Sequence, residues 1–486
     1  MIKLNNVLGL ILLLFVTVAS RACNNIRHQK KINKSSEQKA PNILKDKPNI
    51  IIILLDDAGY ADFGFMGSKE IQTPNIDMLS RNGVIFTNAY VTASVCSPSR
   101  AGLLTGRYQQ RFGHECNLTP NQPLAFDSAE VTIAEALKIR DYKTGIIGKW
   151  HLGEKIHQHP LNNGFDYFWG FISGERSYFP GHNEVKNPKS QTIMENRNYT
   201  NFDGYLTDVL GDKAVEFINK NNEEDPFFLY LAFNAPHAPM EAKLDVMKKF
   251  EGHPRQKLAA MMWSMDEALG KVIATLKEKK IYDNTLIFFL SDNGGALTNQ
   301  SSVAPLKGWK GNQFEGGIRI PFTVTWKNKI QGGIVYDGLT SSLDIYKTAI
   351  SVAGMKGSPG KPLDGKDIFA ALIKKDPESF HKELYWRKDQ MATIRSGEYK
   401  LIKLKGGQSV LYNINTDLQE INDLSKFNPE LKDSLDKNLQ NWERELKSPI
   451  WLEPKVWNKV THIIYEDLMK NKTPRAKHPS DLTNLK

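Results

Sequence analysis

Short runs of consecutive apolar residues recur along the chain and predict strands that are buried on both faces of a sheet. The runs occupy residues 50–55, 144–147, 227–233 and 285–290. A strand with one solvated face would alternate apolar and polar positions, and these runs do not alternate. Helical patterns lie between them at residues 74–82, 131–139 and 256–279, the first introduced by Thr73 and Pro74. Strands that alternate with helices predict an α/β fold whose sheet is covered on both faces.

The pattern changes near residue 375, where shorter strands predict a small antiparallel sheet. These strands are predicted at residues 384–386, 391–394, 399–404 and 410–413, with a hairpin turn at Gly406 and Gly407. A helix predicted at residues 429–446 would pack on this sheet. We therefore predict a large domain at 48–374, a small C-terminal α+β domain of antiparallel sheet plus helix at 375–450, and a C-terminal extension at 451–486.

The N-terminus has the layout of a secretory signal. Lys3 precedes an apolar run at residues 7–19, which is too short to span a bilayer comfortably, and Cys23 follows a group of small residues. The residues before Cys23 loosely resemble a bacterial lipoprotein cleavage site, although Arg21 is unusual there, so lipidation of Cys23 and plain export both stay open. We expect a signal peptide at 1–22, a basic tether at 23–47, and an exported bacterial protein that is periplasmic or anchored in the outer membrane.

The formal net charge of +10 calls for an explanation, because such a charge is typical of proteins that bind polyanions. Residues 24–47 carry a surplus of five positive charges and residues 470–486 a surplus of four, whereas residues 48–469 are close to neutral. Basic ends of this kind predict a solvated tether and a solvated tail. Because no Gly-rich phosphate loop or aromatic–basic RNA motif occurs, we expect no nucleic-acid partner.

Polar side chains follow each of the four predicted central strands. They are Asp56 and Asp57, Lys149 and His151, His237, and Asp292 and Asn293. In open α/β sheets ligands collect beyond the carboxyl ends of the strands, so these groups are expected at one edge. Any single pair has an ordinary interpretation as a turn or helix cap. Their repetition after four strands predicts a site.

Cys96 begins a segment with more specific chemistry. The chain has three cysteines, at positions 23, 96 and 116, too few for a disulfide framework, and a Cys96–Cys116 bridge or a buried thiol is the ordinary interpretation. Pro98, however, is placed to begin a helix that Gly106 would end. Cys96 would then lie at a helix N-terminus, where free backbone N–H groups attract an anion.

The segment Cys96-Ser-Pro-Ser-Arg100, followed by Ala-Gly-Leu-Leu-Thr-Gly, resembles the signature of type I sulfatases, the formylglycine-dependent, arylsulfatase-like members of the alkaline phosphatase superfamily. Further similar segments occur in family order, so that the resemblance spans roughly residues 46–447. They are residues 49–59, 73–77, 148–153, 236–237, 291–295, 307–321, 395–402 and 411–413. The resemblance implies an alkaline-phosphatase-like large mixed sheet and makes 48–374 the catalytic domain.

The resemblance also implies a metal site. Its ligands would be Asp56, Asp57, Asp292, Asn293 and the oxygen of modified Cys96. Carboxylate and amide oxygens are hard ligands that suit Ca²⁺, with Mg²⁺ as an alternative, and disfavour zinc.

Formylglycine, or 3-oxoalanine, would be made from Cys96 by a partner, either an oxygen-dependent generating enzyme or an anaerobic radical enzyme. One hydroxyl of its hydrate would attack sulfur, and the other would remain to eject sulfate. His237, with Lys310 as a second candidate, would protonate the leaving oxygen. Lys149 and Lys310 would face the sulfate oxygens, His151 would hold or deprotonate the hydrate, and Arg100 would support position 96.

The expected substrate is a sulfated carbohydrate, with an algal polysaccharide such as ulvan favoured, and carrageenan, fucoidan and glycosaminoglycans open. Ser173, Glu175, Arg176 and His182 are candidate substrate contacts in a loop. Two other functions are weighed against this one. The first is hydrolysis of phosphate esters or phosphonates, because phosphate shares the tetrahedral geometry of sulfate. The second is a glycan-binding lipoprotein that has lost catalysis.

Overall fold

Strands and helices alternate along the chain, as the apolar pattern predicts. The computed structural model describes residues 47–118, 129–181, 192–221, 225–374 and 381–484. Its strands are β1 (Asn49–Leu55), β2 (Val84–Phe86), β3 (Ala89–Tyr90), β4 (Lys143–Lys149), β5 (Tyr167–Phe171), β6 (Met194–Glu195), β7 (Asn198–Tyr199), β8 (Phe227–Ala232), β9 (Thr285–Ser291), β10 (Phe322–Thr325), β11 (Ile334–Tyr336), β12 (Thr340–Ser341), β13 (Glu383–Lys388), β14 (Met391–Ser396), β15 (Tyr399–Leu404) and β16 (Ser409–Asn413). Its α-helices are α1 (Pro74–Arg81), α2 (Cys96–Thr105), α3 (Ile133–Lys138), α4 (Leu206–Lys220), α5 (Leu244–Lys249), α6 (Gln256–Glu278), α7 (Glu315–Ile318), α8 (Asp344–Val352), α9 (Ile368–Lys374), α10 (Pro429–Arg444) and α11 (Lys455–Met469).

The large sheet has ten strands in the order β11-β2-β10-β9-β1-β8-β4-β5-β6-β7. Strands β9, β1, β8, β4 and β5 run parallel, and β10 and β6 pair antiparallel with the two ends of this group. The four predicted apolar runs are the four adjacent strands β9, β1, β8 and β4. The fold is thus α/β with a large mixed sheet flanked by helices, as predicted.

The continuous apolar runs arise because both faces of this sheet are covered. In β1, Ile50 and Ile52 belong to the core on one face, whereas Ile51 and Ile53 belong to the core on the other. Helices α3 and α8 contribute to the first core, and α4 and α6 contribute to the second. Each fully buried isoleucine stabilises the fold by about 1.5–3 kcal/mol. If helices covered only one face of the sheet, the isoleucines on the other face would stay exposed and would not contribute this stabilisation.

The C-terminal sheet is antiparallel, in the order β13-β14-β15-β16, as predicted. One face packs on Leu435, Leu439 and Trp442 of α10, which is the predicted helix. The other face packs on α11 through Val460 and Ile464. Helix α11 lies in the predicted extension and was not itself predicted. The predicted boundary at 374/375 adjoins residues 375–380, which lie outside the described residues, and so stays a prediction.

The basic residues of the tail are solvent-exposed as far as the structure describes them, as predicted, but the segment also contacts the fold. Ala476 is buried, and the Arg475 guanidinium Nε lies 2.9 Å from Asp467 Oδ2. The ion pair forms because the last turn of α11 offers the Asp467 carboxylate to the basic segment that follows. From Lys47 onward the chain forms one compact unit. No helix among the described residues is both long enough and apolar enough to cross a membrane.

Candidate active site

The carboxyl ends of β9, β1, β8 and β4 bring the predicted polar side chains to one edge of the sheet. Asp292 follows β9, Asp56 follows β1, His237 lies in the loop after β8, and Lys149 ends β4. All four strands run in the same direction, so their ends share one edge. The structure therefore places together the groups that the strand pattern predicted to meet.

Cys96 lies at the centre of this edge. Its Sγ is 3.3 Å from Asp56 Oδ1 and 3.8 Å from Asp57 Oδ1. Ligand atoms of Asp56, Asp57, Cys96 and His237 all lie within 4.8 Å of one another. Cys96 and Cys116 both carry free thiols, so the alternative of a bridge between them does not apply.

Helix α2 begins at Cys96 itself, not at Pro98 as predicted. Val95 is extended and serves as the N-cap, and Pro98 lies in the first turn, where its missing N–H group is not needed. The expected row of free N–H groups is also incomplete, because the Ser97 amide donates to Asn117 Oδ1 at 3.0 Å. This helix end therefore offers fewer free N–H groups to an anion than the sequence predicts.

Both the carboxylate and the backbone carbonyl of Asp57 are held by polar contacts. Lys310 Nζ lies 2.7 and 2.8 Å from its two carboxylate oxygens, and the Asn293 amide donates to Oδ1 at 2.8 Å. Its backbone has φ 68°, a left-handed conformation that non-glycine residues adopt at a cost. Asn299 and Ser301 donate side-chain hydrogen bonds to the Asp57 carbonyl at 3.1 and 2.9 Å and stabilise this conformation.

Asp56 and Asp292 share a fully buried ion network with two cations. Lys149 Nζ donates to Asp56 Oδ2 at 2.6 Å. Arg100 Nε and Nη2 both lie 2.8 Å from Asp292 Oδ2, and Arg100 Nη1 donates to the Lys149 carbonyl at 3.0 Å. Breaking a buried pair leaves an uncompensated charge, which destabilises strongly. This network consequently fixes both carboxylates.

The charges of the site are reflected in its pKa values. Burial alone would raise the pKa of Asp56, but the charges of Lys149, His237 and Arg100 hold it below its usual value. Burial, followed by repulsion from Asp56, raises the pKa of Asp292 to about 6. Burial works against the charge of Lys310, yet the surrounding carboxylates, Asp57 first, raise its pKa well above its usual value. Lys310 is therefore a permanent cation.

Cys96 and His151 are held in their neutral forms. Burial, followed by the charge of Asp292, raises the pKa of the Cys96 thiol well above its usual value. Burial, followed by Lys149 and Arg100, lowers the pKa of His151 well below its usual value. The buried Nδ1 atom of His151 has no hydrogen-bond partner among the described residues. A neutral imidazole can accept a proton there.

The oxygen atoms at this edge fit a hard divalent cation. Asp56, Asp57 and Asp292 supply carboxylates, and the buried Oδ1 atom of Asn293 has no hydrogen-bond partner within the described part of the chain. An amide oxygen buried without a donor costs free energy unless another group, such as a cation, satisfies it. The residues present therefore suit Ca²⁺ or Mg²⁺.

The candidate substrate contacts are only partly at the site. Ser173 precedes Gly174, at which an added Cβ would approach His151 Nε2 to 2.6 Å, so this loop touches the site. Glu175 is exposed, and the Arg176 guanidinium lies 4.9 Å from the centre of the Phe202 ring. His182 and Cys23 lie outside the described residues.

Tyr178 is a site residue that sequence reasoning missed. Its buried hydroxyl lies 2.7 Å from the Asn234 carbonyl and 2.8 Å from the His237 carbonyl, so it holds the loop that carries His237. Asn299 acts similarly, because it also donates to the Pro236 carbonyl at 3.0 Å. Both are loop residues without periodic neighbours, and no pattern in the sequence distinguishes them.

Comparison with known proteins gives concordant matches. The family model described as Sulfatase matches residues 48–355, and the one described as N-sulphoglucosamine sulphohydrolase, C-terminal, matches residues 308–447. The N-acetylgalactosamine-6-sulfatase of Canis lupus familiaris is 33% identical over 377 residues, which cover 73% of this chain and 71% of that protein.

Solved structures match over more of the chain. The crystal structure of Ps i-CgsB is 37% identical with a TM-score of 0.80, over 85% of this chain and 96% of that one. A second structure of the same protein contains k-i-k-neocarrahexaose and is 36% identical with the same TM-score and coverage. The phosphonate monoester hydrolase of Agrobacterium radiobacter is 18% identical with a TM-score of 0.61, which shows a shared fold.

Proposed function

Because the chain belongs to the sulfatase family and is a sulfuric ester hydrolase, we propose that it removes sulfate from a sulfated polysaccharide or its oligosaccharides, with formylglycine at position 96 and Ca²⁺ beside it. The observation that carries this proposal is the position of Cys96. It begins α2 within 4 Å of two buried carboxylates, and Lys149, Lys310 and Arg100 surround the same space.

Modification of Cys96 accounts for an otherwise inert thiol. Burial and neighbouring carboxylates raise the pKa of Cys96, so its side chain would stay protonated and weakly nucleophilic. A hydrated aldehyde supplies instead a hydroxyl nucleophile and a second hydroxyl from which sulfate can leave. The modification needs a partner, either an oxygen-dependent generating enzyme or an anaerobic maturating enzyme.

The metal would be held by oxygen atoms of Asp56, Asp57, Asp292 and Asn293. When bound, Ca²⁺ would stabilise negative charge on the nucleophile and on a sulfate oxygen. The carboxyl groups of Asp56, Asp57 and Asp292 face the three basic side chains of Lys149, Lys310 and Arg100, so their formal charges roughly balance. A divalent cation makes the site net positive, and a positive cleft attracts an anionic ester.

His237 is the proposed donor of a proton to the leaving oxygen. Its Nδ1 lies 2.5 Å from the Ala238 carbonyl, which can only accept, so Nδ1 carries a proton. Its Nε2 faces the site, 3.6 Å from Asp57 Oδ2. A proton on Nε2 therefore requires the imidazolium form, which is the form that can act as a general acid. Neutral His151 is the proposed acceptor of a proton from the nucleophile.

For the substrate, a carrageenan-type oligosaccharide is the first candidate. The support is the 36% identity to a protein whose structure contains k-i-k-neocarrahexaose. Ulvan and fucoidan are the next candidates, followed by glycosaminoglycans, because relatives include an N-acetylgalactosamine-6-sulfatase. Ser173, Glu175 and Arg176 stay candidates for contacts to the sugar.

The test is release of inorganic sulfate from a panel of these oligosaccharides, with protein co-expressed with a maturating enzyme and supplied with Ca²⁺. We expect turnover of at least one sulfated carbohydrate, and loss of turnover in Cys96→Ser and Cys96→Ala. Release of phosphate from phosphate esters at a higher rate than sulfate would favour the alternative hydrolase. Binding without turnover would favour a glycan-binding protein.

Export is the proposed location, supported by the signal-like residues 1–22. Fractionation of cells should place the protein in the periplasm or the outer membrane. Lipid labelling that is lost in Cys23→Ala would identify an anchor, and export without label would identify a soluble form.

A further inference from the structure

We propose that the C-terminal extension positions Lys310 for catalysis, and that Tyr465 of α11 is the residue through which it acts. This inference rests on the proposed function, in which Lys310 faces the sulfate group. Helix α11 and the residues after it lie beyond both matched family segments, which end at residues 355 and 447.

Lys310 lies in a segment, residues 307–314, that has no helix or strand of its own. On the side of the active site its backbone is held at two points. The Lys310 amide donates to the Gly295 carbonyl at 2.9 Å, and the Gly311 amide donates to the Ser94 carbonyl at 2.8 Å. The small sheet holds the segment as well, because the Thr393 hydroxyl donates to Gln313 Oε1 at 2.7 Å and Lys388 Nζ donates to the Gly311 carbonyl at 3.3 Å.

The extension adds contacts at both ends of the segment. The Gln313 backbone amide donates to the Tyr465 hydroxyl at 2.6 Å, and the ring centroids of Phe314 and Tyr465 lie 5.5 Å apart. At the other end of the segment, Lys307 Nζ donates to Asn471 Oδ1 at 2.7 Å. The Lys310 segment is therefore clamped between the active site and the extension.

Tyr465 is the contact with the most direct consequence. Gln313 and Tyr465 are both buried, so loss of the hydroxyl would leave a buried N–H group without its acceptor. Gln313 is three residues from Lys310, and a small displacement of the backbone there moves the lysine relative to the reacting group. Misplacement of a catalytic group by about 1 Å lowers rates up to a hundredfold.

The chain offers a matched control. Tyr412 is buried in the same apolar cluster as Tyr465, but its hydroxyl has no hydrogen-bond partner within the described residues. Tyr412→Phe removes the same atom from the same core and breaks no hydrogen bond. Any effect shared by the two substitutions is therefore an effect on the core.

The experiment measures kcat and KM for Tyr465→Phe and Tyr412→Phe, each alone and combined with Lys310→Met. The kcat values are calculated for the fraction of protein that carries formylglycine. We expect Tyr465→Phe to lower kcat about fivefold to tenfold with KM unchanged, as for one lost hydrogen bond. Tyr412→Phe should leave kcat unchanged. In the Lys310→Met background, Tyr465→Phe should have little further effect, because its effect passes through the lysine. Multiplicative losses would overturn the inference.

Amide hydrogen exchange gives a second readout that does not depend on activity. Exchange of the Gln313 amide should accelerate in Tyr465→Phe and not in Tyr412→Phe. Equal exchange in the two variants would overturn the inference. If the wild type released no sulfate, the proposed function would fail, and the exchange measurement would still decide whether Tyr465 holds this segment.

Discussion

The proposed role of His237 as a proton donor can be distinguished by experiment from a role in substrate binding. We expect His237→Ala to lower kcat on a sugar sulfate by about 10²–10⁴, the range for loss of a general acid. The loss should be much smaller on 4-nitrophenyl sulfate, whose leaving group needs little protonation. The measurement is kcat on both substrates, with exposed His157→Ala as the control. An equal loss on both substrates would exclude a role as proton donor.

Glu420 allows a prediction about pH. Burial, opposed by Lys400 and reinforced by Glu315, raises the pKa of Glu420 to about 7. A carboxyl group with a raised pKa in the folded state stabilises the fold at low pH, and this contribution is lost as pH rises from 4.5 through 7.

The difference in Tm between Glu420→Gln and the wild type should therefore shift in favour of the variant over that pH range. Thermal unfolding of the two proteins at a series of pH values checks this. A difference that stays constant, or moves in the opposite direction, would contradict the raised pKa.

Among single residues, the sequence predicts the site residues that directly follow or end a strand, and it does not predict the site residues that lie in loops. Asp56, Lys149 and Asp292 were predictable, because each directly follows or ends a buried strand. Lys310 was found only by resemblance to the sulfatases, and Tyr178 was not found, because loop contacts across long separations leave no periodic signal.

Lys400 of β15 joins the small sheet to the large domain. Its Nζ lies 2.8 Å from Glu315 Oε1 and 2.9 Å from Glu420 Oε1, and all three side chains are fully buried. We expect Lys400→Met to lower the free energy of unfolding by about 3–5 kcal/mol, because it removes the buried cation that both carboxyl groups contact, and Glu315 keeps only its longer ion pair with Arg319, at 3.3 Å.

Lys403→Met is the matched control for this prediction. Lys403 lies on the same strand and pairs with Asp436 at the surface, where ion pairs contribute less than about 1 kcal/mol. Denaturant unfolding of both variants provides the measurement. Similar losses in the two variants would show that the buried network contributes no more than a surface pair.

Among the elements, the four apolar runs match their strands to within two residues, and two helices begin two residues from their predicted starts for local reasons. Helix α3 begins at Ile133 rather than 131, because Thr132 and Glu135 form a capping box. Helix α2 begins two residues early, at Cys96, because proline is tolerated throughout a first turn. Helix α11 was not predicted, although its buried residues Val460, Ile464 and Leu468 recur at helical spacing.

For the whole molecule, the alternation of strands and helices along the chain predicted the fold class, but it did not predict the order of strands in the sheet. The continuous apolar run of β1 indicates that the strand is buried on both faces, but it does not indicate that β8 and β9 are its neighbours in the sheet. The packing of the extension against the Lys310 segment likewise depends on contacts between residues about 150 positions apart, which a single sequence does not reveal.

Metal binding should stabilise the whole molecule. A ligand at a hundred times its Kd stabilises the folded state by about 2.7 kcal/mol, so Ca²⁺ added to chelator-treated protein should raise Tm. Asn293→Leu, which removes one oxygen without changing charge, should weaken this response. Asp212→Asn, at a surface ion pair, should not. An unchanged Tm in the wild type would exclude a stabilising metal site.

The most direct test of the whole account is mass spectrometry of the tryptic peptide that spans residues 82–100, across preparations that differ in their extent of maturation. The account predicts an aldehyde or its hydrate in place of the Cys96 thiol, and a rate of sulfate release proportional to the modified fraction. Full sulfate release from protein in which Cys96 is unmodified would contradict it.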